Sequence, residues 1–154
     1  WFHPTKDVAF VSEEQGSSLG AYRFDRDAGT LSPLEGQSRQ STLPDDYSGR
    51  NSCSDLEVTP DGRFVYVGNR GHDSLAGFAF DDDGRIRSLG TFATEKTPRS
   101  FNIDPAGRFV YVAGQGSGQL AACRIDEASG ALNRFATYDA GIAPWWVLVV
   151  HTQN

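Results

Sequence analysis

One short pattern occurs three times along the chain, and a chain that repeats itself at this period has few ways to fold. The copies are His3-Pro4-Thr5-Lys6-Asp7-Val8-Ala9-Phe10-Val11-Ser12, Thr59-Pro60-Asp61-Gly62-Arg63-Phe64-Val65-Tyr66-Val67-Gly68 and Asp104-Pro105-Ala106-Gly107-Arg108-Phe109-Val110-Tyr111-Val112-Ala113. Each reads as a turn and then a strand. Proline presets the φ of a turn's second residue, glycine accepts a positive φ behind it, and apolar residues then alternate with period two.

The stretches downstream repeat as well. Ser18-Leu19-Gly20-Ala21-Tyr22-Arg23-Phe24-Asp25 aligns with Ser74-Leu75-Ala76-Gly77-Phe78-Ala79-Phe80-Asp81 and with Gln119-Leu120-Ala121-Ala122-Cys123-Arg124-Ile125-Asp126. Gly29-Thr30-Leu31, Gly84-Arg85-Ile86 and Gly130-Ala131-Leu132 then open a further strand in each unit. Prolines 60 and 105 lie 45 residues apart, whereas 4 and 60 lie 56 apart, so the first unit carries an insertion, the polar stretch from Gln37 to Asn51. Repeats of about 40 to 50 residues with four short strands each are the signature of β-propeller blades.

The third unit gives the strand order: Ser100 to Asp104 innermost, Phe109 to Ala113 second, Gln119 to Ile125 third and Leu132 to Tyr138 outermost. Apolar residues nowhere recur at helical spacing over more than two turns, so the expected class is all-β. Trp1-Phe2-His3 reads as the tail of an innermost strand, and Pro144 to Val150 as an innermost strand with no blade after it. The expected blades are therefore 1–52, 53–97 and 98–143, with a closing strand over 144–151. Three blades do not close a ring, which takes about four to eight. Further blades are expected from a missing region of the chain or from another copy.

Composition narrows the function. A net charge of −6 argues against nucleic acid and anionic membrane surfaces as partners. No run of 18 apolar residues suits a membrane-spanning helix. Cys53 and Cys123 read as buried reduced thiols, in keeping with a cytoplasmic location. Asp81-Asp82-Asp83-Gly84 reads as a solvated hairpin turn. Gly114-Gln115-Gly116-Ser117-Gly118 resembles a dinucleotide loop only superficially, because a strand follows where a phosphate-binding helix should begin. His3, His72 and His151 share no ligand spacing, so no metal and no cofactor are expected. Ser54, Asp55 and His72 make a triad only by assuming their geometry, and no nucleophile elbow supports one.

Polar residues that follow the second strands remain. Glu13-Glu14, Asn69-Arg70-Gly71-His72-Asp73 and Gln115 occupy equivalent positions in the three units, and Thr97-Pro98-Arg99 leads into an innermost strand. Such loops gather at one rim of a propeller, so Glu14, Arg70 and Arg99 are expected to converge.

These motifs closely resemble those of a known family. Ser12-Glu13-Glu14, Asn69-Arg70-Gly71-His72-Asp73-Ser74 and the run from Thr97 to Gly107 are similar to motifs of the seven-bladed propeller lactonases, which include the 6-phosphogluconolactonases and the fungal carboxymuconate cyclases. The ending Ala143-Pro144-Trp145-Trp146-Val147 resembles the strand that closes such a ring, which implies the carboxy-terminal part of the family. The family pattern has an asparagine where this chain has Glu13. Glu14 keeps the register with Ser17-Ser18-Leu19 and is the expected site residue.

The resemblance implies a metal-free site acting on an anionic small molecule. Lactone hydrolysis needs a base to activate water and a group to stabilise an oxyanion. Glu14 is the expected base, with Arg70 and His72 as its catalytic neighbours, and Arg99, Asn69 and Gln115 are expected to bind substrate. Arginine stays charged and presents a fork suited to phosphate, carboxylate or oxyanion. The expected reaction is hydrolysis of 6-phosphogluconolactone. A carboxymuconate-type cycloisomerase and a non-catalytic binding platform are the alternatives.

Overall fold

The computed structural model describes residues 1–37 and 39–150, and among them there is no helix. Within the described residues twelve strands form three four-stranded antiparallel sheets. The first sheet holds β1 (Val8–Glu13), β2 (Ser18–Asp25), β3 (Thr30–Pro33) and β4 (Gln40–Ser41). The second runs in order through β5 (Cys53–Val58), β6 (Phe64–Asn69), β7 (Ser74–Phe80) and β8 (Ile86–Ala93). The third repeats that order with β9 (Pro98–Ile103), β10 (Phe109–Gly114), β11 (Gln119–Ile125) and β12 (Leu132–Asp139).

Alternation explains how the sheets stack. On β6 all six residues are buried. Val65 and Val67 pack with Phe10, Leu19 and Ala21 of the first sheet, while Phe64 and Tyr66 pack with Phe101, Val110 and Val112 of the third. A strand with apolar residues on both faces is thus covered on both sides, as a blade inside a stack must be. Losing a ring such as Phe78, 1 % exposed, would cost about 3 to 5 kcal/mol.

The first sheet departs from the simple repeat. Its outermost strand is broken in two: β3 pairs with the far half of β2, and β4 pairs with Ser18 and Leu19 at its start. Trp1 to His3 lie antiparallel to β1, with Phe10 N donating to Trp1 O at 2.7 Å and His3 N to Val8 O at 2.8 Å. That is the place expected for the tail of an innermost strand.

Innermost strands of neighbouring sheets meet without a backbone ladder. Asp55 on β5 accepts from Ser100 Oγ (3.1 Å) and Phe101 N (3.4 Å), and Glu57 accepts from Asn102 Nδ2 (2.6 Å) and Ile103 N (3.0 Å). The same relation recurs one step on. Val147 N donates to Ser100 Oγ (3.3 Å) and Val149 N to Asn102 Oδ1 (2.7 Å). The closing strand expected over 144–151 therefore needs correction. Residues 144–150 run beside β9 but form no ladder, because their hydrogen bonds go to side chains of that strand, and residue 151, with His151, lies outside the described residues.

Candidate active site

Loops of four residues join each second strand to its third: 14–17, 70–73 and 115–118. Each ends on a residue with positive φ, at Ser17 (48°), Asp73 (54°) and Gly118 (74°). Aspartate tolerates this conformation better than most residues, and the Asp73 carboxylate also accepts Thr97 N at 2.8 Å. That bond fixes the start of β9, where Thr97 itself has φ 53° ahead of Pro98. Loops and sheet-to-sheet crossings thus occupy one rim, and the Thr59–Gly62 and Asp104–Gly107 turns occupy the other.

At the loop rim Glu14 and Arg70 come together. Arg70 Nη2 donates to Glu14 Oε1 across the boundary between the first and second sheets, and also to Cys53 O at 3.0 Å. Arg70 is well buried, with 16 % of its side chain exposed, while Glu14 is 60 % exposed. The guanidinium is thereby held rigid beneath an accessible carboxylate. Arg70 Nε is buried without a hydrogen-bond partner among the described residues.

The neighbouring glutamate faces away. Glu13 accepts from Ser18 Oγ, and from Arg39 Nη2 at 2.6 Å. The Ser18 hydroxyl first, and then Arg39, hold its carboxyl below the ordinary value. Glu13 closes β1 and Glu14 opens the 14–17 loop, and the turn of the chain at that junction separates the two carboxylates.

The remaining expected residues are distributed differently. His72 Nδ1 lies 2.8 Å from Ser74 Oγ, and its ring meets Tyr47 edge to face with centroids 4.8 Å apart. Arg99 has its guanidinium carbon 4.9 Å from the centroid of the Trp145 ring, and no hydrogen bond joins it to the Glu14–Arg70 pair. Gln115 is half-buried in its loop, where its backbone N–H donates to Thr97 O at 3.0 Å.

Asn69 is placed otherwise than expected. It is 0 % exposed, its Oδ1 accepts from Thr42 Oγ1 (2.8 Å), and its Nδ2 donates to Thr42 O (2.7 Å) and Ser74 Oγ (3.3 Å). With its amide saturated inside the protein, it braces the rim instead of facing it. Ser54, Asp55 and His72 form no triad, since Ser54 Oγ donates to Pro98 O at 2.6 Å and Asp55 serves β9. Cys53 and Cys123 are free and buried, and burial pushes both thiols up.

Sequence reasoning passed over Tyr47 and Asn51. Both lie in the insertion, and both bind the 70–73 loop: Tyr47 OH donates to Gly71 O at 3.1 Å, and Asn51 Oδ1 accepts Gly71 N at 2.9 Å. The signal was the length of the insertion, immediately before the sheet that carries Arg70. A groove of about 510 Å³ lined by Asp61, Arg108 and Glu127 lies at the opposite rim, away from these groups.

Radially stacked four-stranded sheets with polar loops collected at one rim define a partial β-propeller. Residues 1–149 match the family model described as lactonase, 7-bladed beta-propeller. The chain belongs to this seven-bladed propeller lactonase family. It is 34% identical over 154 residues to a 6-phosphogluconolactonase of Yersinia pestis (strain Pestoides F), covering 99% of this chain and 45% of that protein. Among solved structures it is similar to the periplasmic gluconolactonase PpgL of Pseudomonas aeruginosa, with TM-score 0.84, 29% identity, and coverage of 94% of this chain and 40% of that one. A Lactobacillus plantarum protein superposes with TM-score 0.83 at 31% identity, over 92% and 40% of the two chains. The chain thus spans less than half the length of the relatives it matches. The comparisons carry membership and partial span but not the carboxy-terminal placement expected from the ending, and that expectation falls away.

Proposed function

We propose that the complete protein hydrolyses a sugar δ-lactone, with 6-phosphogluconolactone as its substrate. The observation that carries this reading is the exposed Glu14 carboxylate seated on the buried Arg70 guanidinium, in a chain 34% identical to a 6-phosphogluconolactonase. Glu14 takes a proton from water as the water oxygen attacks the lactone carbonyl carbon. Arg70 is the charged donor nearest the developing oxyanion. As the tetrahedral intermediate collapses, the ring C–O bond breaks and the leaving oxygen takes the proton back from Glu14, giving the open-chain acid. Arg99, kept in place against Trp145, is the second cation and suits the substrate phosphate.

Blades outside this chain complete the ring and contribute the rest of the site. A cytoplasmic location agrees with two free, buried thiols. The test is hydrolysis of 6-phosphogluconolactone by the full-length protein with the spontaneous rate subtracted; a rate no higher than background overturns the proposal. Likeness to the Pseudomonas gluconolactonase favours a second reading, in which the substrate lacks the phosphate. The ratio of kcat/KM for the phosphorylated and unphosphorylated lactones separates the two.

A further inference from the structure

The insertion of the first unit has no part in the chemistry just described, yet its last residue, Asn51, and the two that follow it fill the gap between the two loops that carry Glu14 and Arg70. Cys53 N donates to Glu14 O at 2.9 Å, and Arg70 N donates to Ser52 O at 3.0 Å. Just ahead of them, Asn51 uses its whole amide. Its Oδ1 accepts Gly71 N (2.9 Å) and His72 N (3.2 Å), and its Nδ2 donates to Ser17 Oγ (3.0 Å) and Asn69 Oδ1 (3.1 Å).

The orientation of that amide is determined. Two backbone N–H groups point at one of its atoms, which must be the oxygen, and Asn69 turns its own oxygen toward the other. Asn69 in turn is locked by Thr42 and Ser74. One side chain therefore ties the 14–17 loop, β6 and the 70–73 loop together. Gly71 fits the same tight seat: a Cβ there would lie 2.0 Å from Arg50 O and 2.8 Å from Asn51 Cα.

We propose that Asn51 is a positioning residue, which sets the reach of Arg70 to Glu14 by holding their loops at a fixed separation. The proposal rests on the reading of Glu14 as base and Arg70 as its partner. Asn51 itself touches neither charged group; it acts through Ser17 on one loop and through Gly71 and His72 on the other. No other amino acid offers one two-fold acceptor and one two-fold donor at this length except glutamine, whose extra methylene would push the loops apart. Displacing a catalytic group by about 1 Å can cost about 10²-fold in rate.

The test is a double-mutant cycle in the full-length protein. Asn51→Ala is expected to lower kcat by about 10²-fold with a smaller change in KM, and to add little when combined with Glu14→Gln, because both changes remove the same step. Losses that multiply in the double variant, or wild-type kcat in Asn51→Ala, overturn the proposal. If Asn51→Ala does not fold, Asn51→Asp takes its place: it keeps the acceptor for Gly71 and His72, loses the donors to Ser17 and Asn69, and is expected to show the same loss and the same lack of additivity. If Glu14→Gln alone is fully active, the base assignment fails, and the cycle is run with Arg70→Ala. There, non-additive losses support the role of Asn51 and multiplicative ones overturn it.

Discussion

The Tyr66 hydroxyl, on the second strand of one sheet, donates to Gly130 O at 2.7 Å in the outer hairpin of the next. Tyr66 is 0 % exposed, so the bond lies in the dry seam between two blades, where burial pushes the phenol well up from its ordinary value. Tyr66→Phe leaves the Gly130 carbonyl without that partner. A loss of about 1 to 3 kcal/mol is expected, read as a lower melting temperature with kcat unchanged. Gly130→Ala should be worse, since Gly130 has φ 72° and a Cβ there would sit 2.5 Å from the Phe64 ring.

Glu14→Gln keeps the shape of the proposed base and removes its proton acceptor. Turnover by the full-length protein should fall by about 10²- to 10⁴-fold while binding is largely retained. Glu13→Gln is the control. Its carboxylate is engaged by Ser18 and Arg39, away from Arg70, and the variant should remain close to wild type. A dead Glu13 variant beside a healthy Glu14 variant would reverse the assignment.

Arg70→Ala or Arg99→Ala should weaken binding of the anionic substrate by about 2 to 4 kcal/mol. Lysine should not rescue Arg70: Nη2 alone serves both Glu14 and Cys53 O, and an ammonium spent on those two acceptors has no second nitrogen to offer the substrate. Affinity for the phosphorylated acid product, measured by calorimetry, reads this directly. If Arg99→Ala leaves that affinity untouched, its stacking on Trp145 is structural only.

His3 makes stability depend on pH. Its ring is 5 % exposed, and Nδ1 accepts from Thr5 N (3.1 Å) and Lys6 N (2.9 Å), which only a deprotonated Nδ1 can do. Burial first, and then Lys6, lower its pKa from 6.5. Above about pH 7 both folded and unfolded states hold a neutral ring and nothing is lost. As pH falls through 6.5 the unfolded chain takes up a proton first, so stability declines until the folded value is passed. Melting curves should show this decline between neutral pH and pH 5, and His3→Gln should flatten that part of it; equal slopes in both proteins would refute the assignment.

The repeated turn-and-strand pattern made the third sheet legible almost to the residue: Gln119 to Ile125 forms as expected, and Phe109 to Ala113 gains only Gly114. Glu13 and Glu14 do point apart, but at the end of the strand and not within it, Glu13 closing β1 and Glu14 opening the loop. What stayed hidden depends on contacts distant in sequence. β4 exists because two residues of the insertion find Ser18 and Leu19, and no local pattern in Gln40-Ser41 announces that. Asn69 stands in register with the rim loops, but Thr42 draws it inward. Asn51 and Tyr47 read as ordinary polar loop residues, because their value lies in what the 70–73 loop presents to them.

The joints between innermost strands have a further consequence for how such a ring is assembled and breathes. A backbone ladder uses main-chain groups that every residue but proline carries in full, whereas a joint made by Asp55 and Glu57, or by Ser100 and Asn102, requires a side-chain acceptor at two alternate positions of the strand. Each seam is therefore a lock with its own key, and blades cannot slide or trade places without losing both bonds. The amides of Phe101 and Ile103 are bonded by carboxylates of the neighbouring blade and not by their own sheet, and those of Val147 and Val149, which lie outside the three sheets, by side chains of β9. Their exchange with solvent deuterium is a gauge of seam opening, separate from the unfolding of any blade.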